Sequence, residues 1–152
     1  MRASPNRWEL METVNLGLLG IAKKAGFIEA GEEMVTTAVS AGRARLIITA
    51  SDIGDSSQRK AETLARRGNV PILTVPTEKS ELGLAVGRGV TGILAVTDIG
   101  IAASFASGLK DLGGSYETVA AVLGEKDKKA RQRRKEAEIH RKNKRTGKRR
   151  TK

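Results

Sequence analysis

The sequence predicts an α/β fold, a three-layer α/β/α sandwich followed by a basic C-terminal tail. Four short runs rich in branched aliphatic residues alternate with stretches in which apolar residues recur every three or four positions, the pattern of strands separated by helices. Glycine, proline and asparagine fall between the runs, where the chain must turn. Charge is segregated as well. Residues 125–152 hold 15 Lys and Arg against four Asp and Glu, whereas residues 1–124 hold 13 of each, so a neutral body precedes a segment of net charge +11.

Leu10, Val14, Leu18, Ile21 and Ala25 repeat at helical spacing and predict a first helix that Gly26 ends. Residues 1–9, with Pro5, lack that pattern and read as a loose lead-in, and Met11 is a candidate internal start. Phe27 to Gly31 alternates as a short strand, and Val35, Ala38, Val39 and Gly42 mark the next helix. Glu32 and Glu33 stand in its first turn, where the helix dipole favours carboxylates. Leu46 to Ile48 is the second strand. Asp55 or Ser56 is placed to cap a helix that turns Ala61, Leu64 and Ala65 inward and closes at Gly68-Asn69. In the third strand, Val70 to Val75, Pro71 cannot donate to a ladder and belongs at an edge or just outside the pairing. Pro76-Thr77 opens a helix with Leu82, Ala85 and Val86 inside, and Ile93 to Val96 is the fourth strand. Ile101, Phe105, Leu109 and Leu112 outline a fifth helix before Gly113-Gly114, which closes a single domain over residues 1–114.

Residues 115–152 form the tail. Tyr116 to Leu123 can add a last turn of helix against the body, but Glu125 to His140 offers only Ala130, Ala137 and Ile139 as apolar residues and has no stripe to pack. The tail is therefore expected to be partly helical or disordered, with Gly147 and its basic flanks disordered. A block of like charge seeks a polyanion, and nucleic acid is the leading one. Candidate phosphate contacts are Lys128, Lys129, Arg131, Arg133, Arg134 and Lys135, then Arg141, Lys142, Lys144 and Arg145.

Several functions are excluded by composition. The chain has no cysteine, so disulfides and thiolate metal sites are ruled out and a cytoplasmic location is expected. Leu16 to Ala22 is too short to span a bilayer, and no membrane partner is expected. Trp8, Phe27, Phe105 and Tyr116 are too scattered for a base-stacking sheet. His140 is the single histidine and lies among charges, which supports neither metal coordination nor general-base work. Asp52, Asp55 and Asp98 stand at strand ends where turns and helix caps need them. Gly87, Gly89 and Gly92 in GRGVTG satisfy GxGxxG, but a helix precedes and a strand follows, the reverse of a dinucleotide fingerprint. The loop is either a plain tight turn or a place where backbone approaches a partner closely, with Arg88 supplying charge at its tip. No catalytic constellation can be assembled, and no cofactor or metal is expected.

The succession LLGIAKKAGFIEAGEE, RARLIITASD and ELGLAVGRGVTGILAVTD resembles the ribosomal protein L7Ae/L30e superfamily, in particular its small bacterial YlxQ-like branch. The match spans Asn15 to Leu112, and its most specific part is the LGxAxG turn from Leu82 to Gly87 with the apolar strand and Thr97-Asp98 that follow. The resemblance implies a four-stranded mixed sheet between helices and binding of kink-turns, sharply bent RNA duplexes with exposed G·A pairs. It also implies a docking face made from the second helix at Gly31, Glu32, Glu33, Met34 and Thr37 and from the loop Gly87, Arg88, Gly89, Val90 and Thr91. Family members that read kink-turns begin this helix Gly-x-Asn-Glu-x-x-Lys. Here Glu33, Met34 and Thr37 replace the Asn, Glu and Lys. Lys23, Lys24, Arg43 and Arg45 are expected to border the same surface.

The expected function is non-enzymatic, structure-selective binding of structured RNA, ribosomal RNA among the candidates, in association with the ribosome or translation. The folded face would select and the tail would hold phosphates. The alternative is a protein-interaction module of a ribosome or transcription assembly, with the tail as a nonspecific tether to nucleic acid.

Overall fold

The computed structural model describes residues 14–146. Its strands are β1 (Ile28–Ala30), β2 (Leu46–Thr49), β3 (Ile72–Thr74) and β4 (Ile93–Val96), joined in one sheet in the order β1-β4-β2-β3. β4 runs antiparallel to both of its neighbours and β3 parallel to β2, so the sheet is mixed, as expected. The helices are α1 (Leu16–Lys24), α2 (Glu32–Ser40), α3 (Asp55–Gly68), α4 (Lys79–Ala85), α5 (Ile99–Ser107) and α6 (Ser115–Arg145), with a 3-10 turn at Lys110–Leu112.

Because successive strand residues point to opposite faces, each strand feeds two cores. Leu46, Ile48, Leu94 and Val96 meet Leu19, Leu82, Phe105 and Leu123 from α1, α4, α5 and α6. Ile47 and Ala95 meet Val35, Ala38, Ala61 and Leu64 from α2 and α3 on the other face. The central strands β2 and β4 are buried at every position, which is why they read as unbroken apolar runs. Pro71 sits just before the edge strand β3, and its carbonyl accepts from Ile47 N at 2.9 Å. Asn69 closes α3 in the left-handed conformation with φ 51°.

Three expectations change in detail. In α1, Leu19 and Ala22 are the fully buried residues, while Ile21 is 66% exposed and Ala25 is also exposed. Apolar residues on more than one side of this short helix leave its phase to its neighbours, and Gly20 sets it. A β-carbon there would lie 3.1 Å from the Ala85 carbonyl, so α1 turns this side to α4. Leu10, Met11 and the lead-in 1–9 lie outside the described residues, as does Gly147. The cap of α3 is Gly54, with Asp55 inside the first turn and no side-chain cap bond.

The third difference is the C-terminal helix. The 31-residue α6 runs without a break from Ser115, and Tyr116, Val119, Ala120 and Leu123 form a stripe packed on the first core. Four residues on, Asp127 is 9% exposed and bridges to Arg131 at 3.0 Å. Its Oδ1 would lie 3.5 Å from a β-carbon on Gly100, in the first turn of α5, where a carboxylate suits the dipole. From Arg131 onward every described residue is exposed. The helix is thus body in its first half and arm in its second.

Candidate functional site

The register defines two ends of the sheet. At one, Gly31 N donates to Ile93 O at 3.0 Å and Ala50 N to Gly92 O at 2.9 Å; at the other, Thr97 N donates to Phe27 O and Arg45 N to Val96 O. The first end collects the start of α2, the turn before α3, the start of α4 and the loop 87–92. Between them lies a shallow cleft of about 260 Å³ bordered by Gly31, Glu32, Ser57, Lys79, Arg88 and Val90.

Side-chain and backbone contacts together hold this end in shape. The Arg88 guanidinium donates to the Ala30 carbonyl at 2.7 Å and so ties the glycine loop to the start of α2. Gly31 takes φ 94° and Gly87 φ 72°, values that disfavour a side chain. Gly83, within α4, lets that helix touch the loop: a β-carbon there would meet the Gly89 carbonyl oxygen at 2.8 Å and Val90 N at 2.9 Å. Arg88 N donates to Gly83 O and Thr91 N to Lys79 O at 2.9 Å, so the loop is fastened on both flanks.

Gly31 and Glu32 border the same cleft as Arg88 and Val90, and Glu33 and Met34 follow them in the first turn of α2. Their side chains are not a uniform polar surface. Glu32 pairs with Lys60 of α3 at 3.3 Å, and the Thr37 hydroxyl is turned back to the Glu33 carbonyl at 3.1 Å. Met34 and Val90 are 46% and 62% exposed, which gives the face an apolar component. Thr91 also borders the cleft but is 3% exposed, so its side chain is turned largely inward.

Lys23, Lys24, Arg43 and Arg45 are a second correction. They cluster at the opposite end of the sheet, because α1 ends there just before Phe27 and the α2–β2 connection enters there just before Leu46. Arg43 is paired with Glu29 at 3.6 Å. The exposed half of α6, with Arg131, Arg133, Arg134, Lys135 and the cations to Arg145, leaves the body from that same far end, since Asp127 lies against the start of α5. His140 is exposed on this arm.

Sequence reasoning missed Lys79, Lys60 and Ser57, which reach the first end from helices distant in the chain. The one clue was Asp52, whose Oδ1 accepts from Lys79 N at 2.8 Å and fixes the start of α4. Asp98 caps α5 by accepting from Ile101 N at 2.9 Å. These aspartates are structural caps. Among the described residues no His, Cys, Asp or Glu group is arranged to hold a metal. An open cleft with a helix N-terminus, a fixed glycine loop and two cations suits a shaped polyanion better than a small substrate.

The chain is similar to known proteins in sequence and fold. Residues 15–106 match the model of the ribosomal protein L7Ae/L30e/S12e/Gadd45 family. The chain is 29% identical over 85 residues to the RNA-binding protein YlxQ of Bacillus subtilis (strain 168), covering 56% of this chain and 84% of that protein. It is also similar to a solved structure of a protein with unknown function from Bacillus halodurans C, with TM-score 0.58 and 31% identity over 62% of this chain and 94% of the other. The Giardia lamblia 15.5kD RNA binding protein shares the fold at TM-score 0.50 and 20% identity, covering 78% and 87% of the two chains.

Proposed function

The chain belongs to the ribosomal protein L7Ae/L30e/S12e/Gadd45 family, and from that premise we propose that it is a non-enzymatic RNA-binding protein selecting bent RNA through the Gly31–Met34 and Gly87–Val90 end. The observation that carries this reading is the Arg88 bond to the Ala30 carbonyl. It holds two segments far apart in sequence as one preformed face, and preorganisation lowers the ordering cost of binding a rigid, shaped partner. Arg88 and Lys79 supply charge for phosphates, while the N-terminus of α2 presents backbone N–H groups. Ribosome or translation association and a cytoplasmic location are part of this proposal, and the family's character supports them. Among the described residues no helix is long and apolar enough to cross a membrane.

The exposed Met34, Val90 and Leu84 favour a second reading, a protein-interaction face in a ribosomal or transcription assembly. Binding of the full chain to a kink-turn RNA and to a straight duplex of equal length separates the two. Arg88→Ala is expected to lower the preference for the kinked RNA roughly tenfold, the scale of one charge-assisted contact. If the preference is untouched, the docking face is misplaced; if none exists in the unmodified chain, the protein-interaction reading takes over.

A further inference from the structure

A cleft beside the arm lies at the end of the sheet away from Arg88. It measures about 550 Å³ and is walled by the α2–β2 turn at Gly42 and Arg45, the α3–β3 turn at Asn69, and α6. Lys126, Ala130 and Arg133 lie on its α6 wall at spacings of four and three, one face of the helix. Ala130 in the middle leaves the room that a longer side chain would fill.

The charged residues that line this cleft are all cations. Arg45, Lys126 and Arg133 all border it; among the described residues no carboxylate lines it and none of the three makes an ion pair. Arg43, Lys60 and Arg131, by contrast, each have an acidic partner. Three unpaired cations gathered in one concavity repel one another and focus a positive potential into it. The carbonyl ends of α2 and α3 border the cleft and oppose an anion, so the side chains must carry any binding there. The exposed half of α6 continues the positive surface outward from the cleft.

We propose that this cleft is a second RNA site, which takes a stretch of phosphate backbone at the far end of the molecule, so that one chain bridges two RNA segments. The inference rests on the RNA-binding reading above, but it concerns other residues. A single RNA contacted at Gly31 and Arg88 would reach the cleft only by wrapping the body. A second helix or strand of the same folded RNA reaches it directly and is then followed outward by the arm.

The test compares two double variants of the full chain that remove the same net charge, Arg45→Gln with Arg133→Gln and Lys128→Gln with Lys135→Gln. Lys128 and Lys135 lie roughly half a turn from the cleft face of α6. With a straight RNA duplex, the cleft pair is expected to weaken binding at least tenfold and to reduce the slope of log K against log salt by about 1.8. The other pair should weaken it about threefold at most. The preference for a kink-turn over a straight duplex should survive in the cleft variant. Equal losses from the two pairs would overturn the second site, as would collapse of the kink-turn preference in the cleft variant, which would tie these residues to the docking face. Displacement of the duplex by oligoglutamate of equal charge would overturn RNA in favour of an acidic protein segment. Failure of the unmodified chain to bind either RNA would instead sink the RNA-binding reading itself.

Discussion

Arg88 was legible as charge on a glycine loop but not as a tether, because its acceptor is the backbone carbonyl of Ala30, and a carbonyl leaves no mark in the sequence. Thr91 shows the converse: a polar residue in a loop motif reads as surface, yet the close approach of Lys79 O to its N–H draws it inside. The two glutamates after Gly31 were read for their place in a first turn, and only the fold reveals that Lys60 neutralises Glu32. A similar long-range bond makes Tyr116 informative. Its hydroxyl donates to the Thr74 carbonyl, and burial pushes its pKa above the ordinary value of 10.0. The folded state thus favours the neutral phenol, while the unfolded chain ionises first. Stability from this group is complete below pH 10 and is lost as pH rises through the higher folded value. Urea unfolding across the alkaline range should show a decline that Tyr116→Phe removes; an unchanged decline would mean that the tyrosine does not carry it.

Elements with a clean period were readable: β2 and β4 as short β-branched runs, α2 and α3 by Val35, Ala38, Ala61 and Leu64. α1 was phased only in part: Val14 and Leu18 pack on the core as expected, but its apolar residues occupy more than one side and tertiary neighbours turned Ile21 and Ala25 outward. α6 was set apart from the domain at the glycine pair that precedes it and divided where the charge begins, yet a helix ignores a change of composition so long as no residue breaks it. Its stripe from Tyr116 to Leu123 is short enough to pass for a trailing turn, but Leu123 is fully buried. Leu123→Ala should therefore cost about 2–5 kcal/mol in denaturant unfolding, as for any large core residue. A loss below 1 kcal/mol would place α6 outside the body's cooperative unit.

At the scale of the whole molecule, the charge asymmetry that composition announced becomes a spatial polarity. Selectivity is proposed for the end with Gly31 and Arg88, while the arm leaves from the other. The break between body and arm falls after Ala130 rather than at the start of the helix, since Asp127 still anchors α6 to α5. Residues 1–130 should then melt within about 2 °C of the full chain, because the lost half of the helix touches no core. They should also bind all RNAs more weakly with a flatter salt dependence. A loss confined to one RNA would assign selectivity to the arm. The sheet order carries a different consequence, one for the timing of assembly. β4 is the last strand made, yet it lies between β1 and β2, pairing Ile28 with Val96 and Ile47 with Ala95. As the chain emerges during synthesis, β2 and β3 meet at once, but β1 has no neighbour until Ile93 to Val96 exists. The body therefore closes in one late, long-range step, and an abandoned nascent chain ending before that strand never carries a finished docking face.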